Sequence, residues 1–381
     1  MSNSVYIRLG VRRVVNGLGA TTLYGGIPPH PQVVEAMAEA TAWRVDLPEL
    51  LAASGRRIAE LVHAPAAYIT SGAAGGLLLS TAACVAGTDP RKIVRLPDTT
   101  GMKNEVVIQR KQRMNFDHAV RGAGVRLVEV GWSHASTSAW EMASEITERT
   151  AAVLHAAPYE SYATLSLTEV IAIAHAQEVP VIVDAAPCLP PVSNLWAYTQ
   201  MGADLVSFSG GKAIGGPQGT GIILGRPDLI EACAANAGPA PNTVGRPLKV
   251  SKEEIVGLVV ALELYLARDH DQDRAIWHQR NAAILERIAH VPNVVAWEEP
   301  LAQEFIPIPE VRLRPAATNA SSWLQRVIDK LAEGEPSIRV GTWHGAISIS
   351  PHAIDDEEVP WVVDRLAAVL AEMPAPRPDA A

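Results

Sequence analysis

PVIVDAAPCLPPVSNLWAYTQMGADLVSFSGGKAIGGPQGTG, residues 180–221, holds two short apolar runs and then a lysine set among glycines. PVIVDA (180–185) nears its end at Asp184, and DLVSFS (204–209) closes on Ser209. Runs this apolar, with little polar alternation, are those of strands covered on both faces. Working outward, AAYIT (66–70), KIVRL (92–96), NEVVIQ (104–109), VRLVEV (125–130), TAAVLHA (150–156) and TGIILG (220–225) read the same way. LTEVIAIAHAQ (167–177) lies between two of them and reads as the crossover helix of a βαβ unit. The body, roughly 55–240, is therefore expected to be a doubly wound, mostly parallel α/β sheet.

Past PAPNTVGRPL the texture changes to a long helical pattern over 252–290. VVAWE, IRVGTW and AISIS follow as strands, with SSWLQRVIDKLAE and DEEVPWVVDRLAAVLAEM as helices. The expected organisation is an N-terminal segment (1–50), a large α/β domain (51–250), a small C-terminal α+β domain (251–375) and a tail (376–381).

Composition narrows the function classes. With 48% apolar and 19% charged residues the chain can bury a sizeable core. A net charge of −9 with dispersed basic residues argues against a nucleic-acid footprint. No stretch reaches the ~20 apolar residues of a membrane span, and no apolar leader opens the chain. Cys84, Cys188 and Cys233 form no CxxC pair, which points to a reducing cytoplasm and to no metal role for them.

In open α/β sheets the working residues lie just beyond the carboxyl ends of strands. Asp184, Ser209 and Lys212 occupy such places. One reading makes Lys212 a solvated loop lysine and Asp184 a helix cap. The other is chemical: a lysine amine can form a Schiff base with an aldehyde, and a carboxylate can pair with a protonated ring nitrogen. That combination belongs to a pyridoxal 5'-phosphate (PLP) site. Its phosphate needs backbone N–H groups and hydroxyls at a helix N-terminus, and Ser71-Gly72-Ala73-Ala74-Gly75 sits between a strand and a helical run. The chain order is then phosphate cradle, ring carboxylate, hydroxyl and lysine.

At these residues the chain resembles a family. DAAPCLPPVSNL, GADLVSFSGGKAIGGPQGTGIILGRPDLI and YITSGAAGGL are similar to the SelA-like branch of fold-type I PLP-dependent enzymes. That branch includes L-seryl-tRNA(Sec) selenium transferase and D-glucosaminate-6-phosphate ammonia lyase, and the likeness runs from RRVVNGLGATTLYGG to about residue 350. It implies a fold-type I sheet of seven-stranded type, Lys212 as the Schiff-base lysine and Asp184 as partner of the pyridine nitrogen. It further implies Ser71, Gly72, Ala73, Ser209, Gln218 and Thr220 as cofactor contacts. Arg246 and Lys249, in GRPLKVSKEE, match a basic pair lining the transferase site. Where relatives carry His-Arg this chain has Gln112-Arg113, so an imidazole over the cofactor is missing and Arg113 is left as a substrate contact. Arg339 stands where many fold-type I enzymes place a carboxylate-gripping arginine. Asp98, Asn104 and His344 are weaker candidates, and Glu35 and Glu39 read as a solvated helix face.

The resemblance implies a PLP-dependent lyase acting on a small amino acid or amino sugar acid in the cytoplasm. Loss of a β-hydroxyl would give a 2-oxo acid and ammonia. Racemisation and retro-aldol cleavage share the same carbanion and stay open, as does a non-catalytic protein on this fold. A selenium transferase's tRNA is not expected as substrate, because the chain is acidic and enters the shared segment by residue 13. Homodimers or higher homo-oligomers with shared sites are expected.

Overall fold

In a computed structural model, described for residues 4–132, 134–299, 307–317 and 321–376, the chain divides into two compact units. One is built from residues 28–267. The other combines residues up to 27 with those from 268 onward. In chain order the strands are β1 (Val14–Asn16), β2 (Ala66–Thr70), β3 (Glu105–Gln109), β4 (Arg126–Val130), β5 (Thr150–Ala156), β6 (Val181–Asp184), β7 (Leu205–Ser209) and β8 (Gly221–Gly225). β9 (Val294–Glu299), β10 (Glu310–Pro315), β11 (Ser337–Arg339), β12 (Gly341–Trp343) and β13 (Ala346–Ile349) complete the series.

The larger unit is organised by a seven-stranded sheet of order β2-β8-β7-β6-β5-β3-β4. β8 runs antiparallel to both its neighbours, and the other pairs are parallel. Burial explains the unbroken apolar runs: every residue of β3, β5, β6 and β8 is buried. Helices cover the sheet and start where the sequence supplies caps. Asp46 accepts from the Glu49 N–H at 2.9 Å to open the helix Leu47–Leu61. Ser166 and Glu169 form a capping box at the helix Leu167–His175.

Several elements differ from the sequence reading. Residues 92–96 form no strand: Asp89 caps a short helix Pro90–Ile93, accepting from the Arg91 N–H at 2.9 Å. An Asp-Pro pair at a helix start outweighs the β-branched residues behind it. The helical pattern over 252–290 is two helices, Lys252–Ala267 and His270–Ile288, broken where Asp269 caps the second by accepting from the Asp271 and Gln272 N–H groups. The first belongs to the larger unit, where the Lys252 ammonium donates to the Ala40 carbonyl. Strands β1 and β10 were not anticipated. β1 is short, and β10 alternates charged with apolar residues around a half-buried surface.

The smaller unit has its own core, around Val15, Ile284, Leu313, Trp323, Ile347 and Leu366. Its four-stranded sheet, β12-β13-β10-β9, is antiparallel throughout, and β1 pairs in parallel with β11. The helices Ser321–Glu333 and Val359–Glu372 complete an α+β layer. The tail read at 376–381 lies, beyond residue 376, outside the described residues. Among the described residues no helix is long and apolar enough to cross a membrane.

Candidate active site

β6 and β7 are adjacent and parallel, with Asp184 opposite Ser207. Asp184 therefore leaves the sheet at its carboxyl edge, 3% exposed. Its Oδ1 accepts the Ala186 N–H at 2.9 Å. Burial pushes the Asp184 carboxyl up from its ordinary value, and the Ala186 bond and the nearby Lys212 charge oppose that push. Lys212 feels the converse. Burial holds its amine below the usual lysine value, and Asp184 works against that. Each group thus makes the other's charged form less costly in a place that water does not reach freely.

Lys212 is presented by the connection between antiparallel β7 and β8. The turn is cross-tied: the Gly210 N–H donates to the Thr220 carbonyl at 2.8 Å, Gly215 N–H to Lys212 O at 2.9 Å, and Gly216 N–H to Gly210 O at 2.8 Å. Thr220 is buried, with its hydroxyl donating to Pro217 O at 2.6 Å. A Cβ on Gly211 would lie 2.5 Å from Gln218 Cα, so the backbone passes where no side chain could.

The helix Gly72–Ala86 starts beside this turn. It has no acidic residue in its first turn, and the Ser71 side chain makes no capping bond. Its N-terminal N–H groups and positive pole are thus not neutralised by an acidic side chain of its own. Gly72 is in the left-handed region at φ +68°, and a Cβ on Gly221 would fall 2.4 Å from the Gly72 carbonyl carbon. The Ser207 hydroxyl donates to Ala73 O at 3.2 Å, locking β7 to the helix. Ser71, Gly72, Ala73, Lys212, Gln218, Thr220 and Asp184 are thereby gathered at one edge of one sheet, with Ser209 closing β7.

The remaining candidates fall elsewhere or stay at the margin. Leu248 packs within reach of Gly75, so the linker carrying Arg246 and Lys249 crosses the cradle helix, and both cations are exposed there. Arg113 is turned toward the edge strand β4, paired with Asp117 and Glu129. Two carboxylates neutralise it. Arg339 ends β11 in the smaller unit, with its guanidinium 5.6 Å from the Tyr24 ring centroid. Asp98 is exposed and accepts the Thr100 N–H at 3.0 Å in a turn. His344 is exposed at a left-handed turn position, and Glu35 and Glu39 are solvated.

Two features of the site were not legible beforehand. Cys188, read in sequence only as having no metal role, has Asp184 and Lys212 as its neighbouring charges and a hydrogen bond with the Tyr198 hydroxyl, and burial pushes its thiol up to about 12. Gln112, thought only to mark a missing imidazole, is fully buried and bonded to Ala156 N–H at 3.1 Å and to His155 Nδ1 at 3.4 Å. A histidine inside an otherwise apolar strand, TAAVLHA, was the available signal.

With this geometry in place, comparison with known proteins is informative. The SelA family, described as L-seryl-tRNA selenium transferase, matches residues 80–279. Across 97% of the chain and 98% of the relative, 31% of residues are identical to a D-glucosaminate-6-phosphate ammonia lyase of Salmonella typhimurium. The chain belongs to the SelA family.

A 5'-C-glycyluridine monooxygenase-decarboxylase of a Streptomyces species is 32% identical over 96% of this chain and 92% of its own. A solved D-glucosaminate-6-phosphate ammonia-lyase superposes with a TM-score of 0.84 at 30% identity, covering 98% of this chain and all of that one. This SelA-family chain has the fold-type I architecture, and its cofactor is pyridoxal 5'-phosphate. The residues fit that group: a helix N-terminus with no acidic side chain in its first turn and no capping bond from Ser71, a buried carboxylate, and a lysine whose amine burial favours in its neutral form.

Proposed function

We propose that the protein is a PLP-dependent lyase that removes a β-hydroxyl from a small amino acid or amino sugar acid, giving a 2-oxo acid and ammonia. The observation that carries this reading is buried Asp184 at the carboxyl edge of β6 and β7, with half-buried Lys212 close enough for each charge to influence the other. The Salmonella relative's name supports the reaction type.

PLP, when bound, supplies an electron sink for a bond broken at the amine-bearing carbon. The chain's own groups do the rest. The N-terminus of the helix Gly72–Ala86 and Ser71 would hold the phosphate, and Ser209, Gln218 and Thr220 would border it. Asp184 would face the ring nitrogen, where its carboxylate would favour the protonated form. Lys212 would hold the aldehyde of the cofactor, and its Nζ, when free, would serve as base for the Cα proton of the substrate. The same Nζ then returns a proton to the departing hydroxyl oxygen. Loss of water leaves an enamine, which hydrolyses to 2-oxo acid and ammonia. Arg246 and Lys249 offer charge to the anionic end of a substrate, in this chain or a neighbouring copy. Arg113, already neutralised, is given no part.

The Streptomyces relative supports a second reading, oxygen-dependent loss of CO2 from an amino acid. One screen separates them. The purified enzyme is given D- and L-amino acids and amino sugar acids, and ammonia, 2-oxo acid, aldehyde, CO2 and oxygen uptake are recorded together. Ammonia and 2-oxo acid in equal amounts, without oxygen uptake, is the expected result. CO2 with oxygen uptake would establish the second reading. Aldehyde alone, or inversion without ammonia, would replace both.

A further inference from the structure

β5 is buried along its whole length and apolar but for its first residue, Thr150, and its penultimate one, His155, which is 0% exposed. The side chains around it settle where its proton lies. Gln112 Oε1 accepts the Ala156 N–H at 3.1 Å, which fixes the orientation of that amide. Its Nε2 then faces His155 Nδ1 at 3.4 Å. An amide nitrogen can only donate, so Nδ1 must carry the lone pair. The proton is left on Nε2, 2.9 Å from Glu160 Oε2, and donates to it. That bond, first among several causes, holds the Glu160 carboxyl below its ordinary value. Glu160 Oε2 also accepts the Leu167 N–H at 3.0 Å, at the start of the helix Leu167–His175.

The loop 157–166 between β5 and that helix is tied at its far end too. Buried Gln109 accepts the Leu165 N–H at 2.6 Å and donates to Leu165 O at 3.0 Å. Gln109 and Gln112 flank a single tight turn, so one short segment pins both ends of the loop. In the sheet Ala156 pairs with Asp184. A fully bonded polar cluster in an apolar sheet fixes one arrangement and costs stability if any member is lost. An apolar strand end would fill the space as well without these groups.

We propose that Gln112, His155 and Glu160 form one positioning unit, in which the amide fixes the Nε2–H tautomer so that the imidazole anchors Glu160 and its loop beside Asp184. This rests on the PLP reading of the site. None of the three is assigned contact with the reacting atoms; they act through Asp184 and the loop.

The test has two arms. Nitrogen-15 NMR of histidine-labelled protein, assigned with His155→Asn, reads the tautomer directly with and without added PLP. Protonated Nε2 and bare Nδ1 are expected; a protonated Nδ1 in the wild type would overturn the proposal. Gln112→Glu keeps the acceptor for Ala156 but removes the donor to Nδ1, and Glu160→Gln removes the anion. With PLP bound, each should lower the induced circular dichroism of the cofactor band by about half or more, since that band reports ring placement. His175→Asn is the control. It breaks a comparable pair with Asp204, 2.8 Å, at the opposite end of the strands, and should leave the band unchanged. Wild-type dichroism in both folded variants would overturn the proposal, and where a variant fails to fold the wild-type tautomer decides. Failure of the wild type to bind PLP would instead sink the cofactor reading, with the tautomer still legible in the free protein.

Discussion

Gly221 approaches Gly72 so closely that a Cβ on Gly221 would sit 2.4 Å from the Gly72 carbonyl carbon and 2.7 Å from the Ala73 nitrogen. The first residue of β8 and the first turn of the cradle helix therefore share space only backbone can occupy. Gly221→Ala should push the helix N-terminus away from the lysine-bearing turn. Overpacking of this kind commonly costs about 1–3 kcal/mol. A lower melting temperature and weaker PLP binding by fluorescence titration are expected, whereas unchanged PLP affinity would show that the helix start does not hold the phosphate.

Asp184→Asn should divide two effects. Buried Asp184 has its folded-state value raised, so the folded chain binds a proton more tightly than the unfolded chain, and the carboxylate costs stability as pH rises above the ordinary range. In cofactor-free protein at neutral pH the substitution should therefore raise the melting temperature. With PLP, turnover should fall by roughly a hundredfold or more as the ring nitrogen loses its ion pair. Turnover within about threefold of wild type would remove Asp184 from the site.

The smaller unit should be acid-sensitive for a separate reason. Burial, with Arg280 nearby, lowers the His352 value from 6.5 to about 4. Its Nδ1 lies 2.9 Å from the Ser350 hydroxyl, and the ring meets Trp277 edge-on at 6.2 Å. Between those values the unfolded chain binds a proton that the folded chain declines. Stability is thus full above pH 6.5 and falls as pH drops toward 4, with a slope approaching about 1.4 kcal/mol per pH unit. His352→Asn should flatten that dependence in melting curves recorded across the window. An unaltered slope would assign the acid sensitivity to other groups.

If the exposed Arg246 serves a neighbouring copy's cleft, Lys212→Ala and Arg246→Ala, each inactive alone, should restore part of the activity when mixed. One site of a mixed dimer then draws both intact residues from different chains. Light scattering should show a dimer or a ring of dimers. A fully active monomer, or verified subunit exchange without complementation, would confine each site to one chain.

Much of this was legible because both-face burial leaves apolar runs in the sequence: β2, β3 and β5 to β8 fall where those runs stand. That Asp184, Lys212 and the turn at Ser71 would meet at one sheet edge was legible because strand ends are where an α/β sheet exposes chemistry. β10 was hidden by its charges, since Arg312 and Arg314 break the apolar run while Val311 and Leu313 face the core. Arg113 looked available in sequence because nothing local tells that Glu129, on another strand, will neutralise it. The Gln112–His155–Glu160 unit was out of reach for the same reason: its members are brought together by strand pairing.

Lys212 is the residue on which the proposed chemistry turns, as the anchor of the cofactor. Borohydride reduction of the PLP-loaded protein followed by peptide mass spectrometry tests it most directly. The reduced label is expected on Lys212, and is expected to be lost with the fold retained in Lys212→Ala. A label on Lys92, Lys103, Lys111, Lys249, Lys252 or Lys330 instead would contradict it.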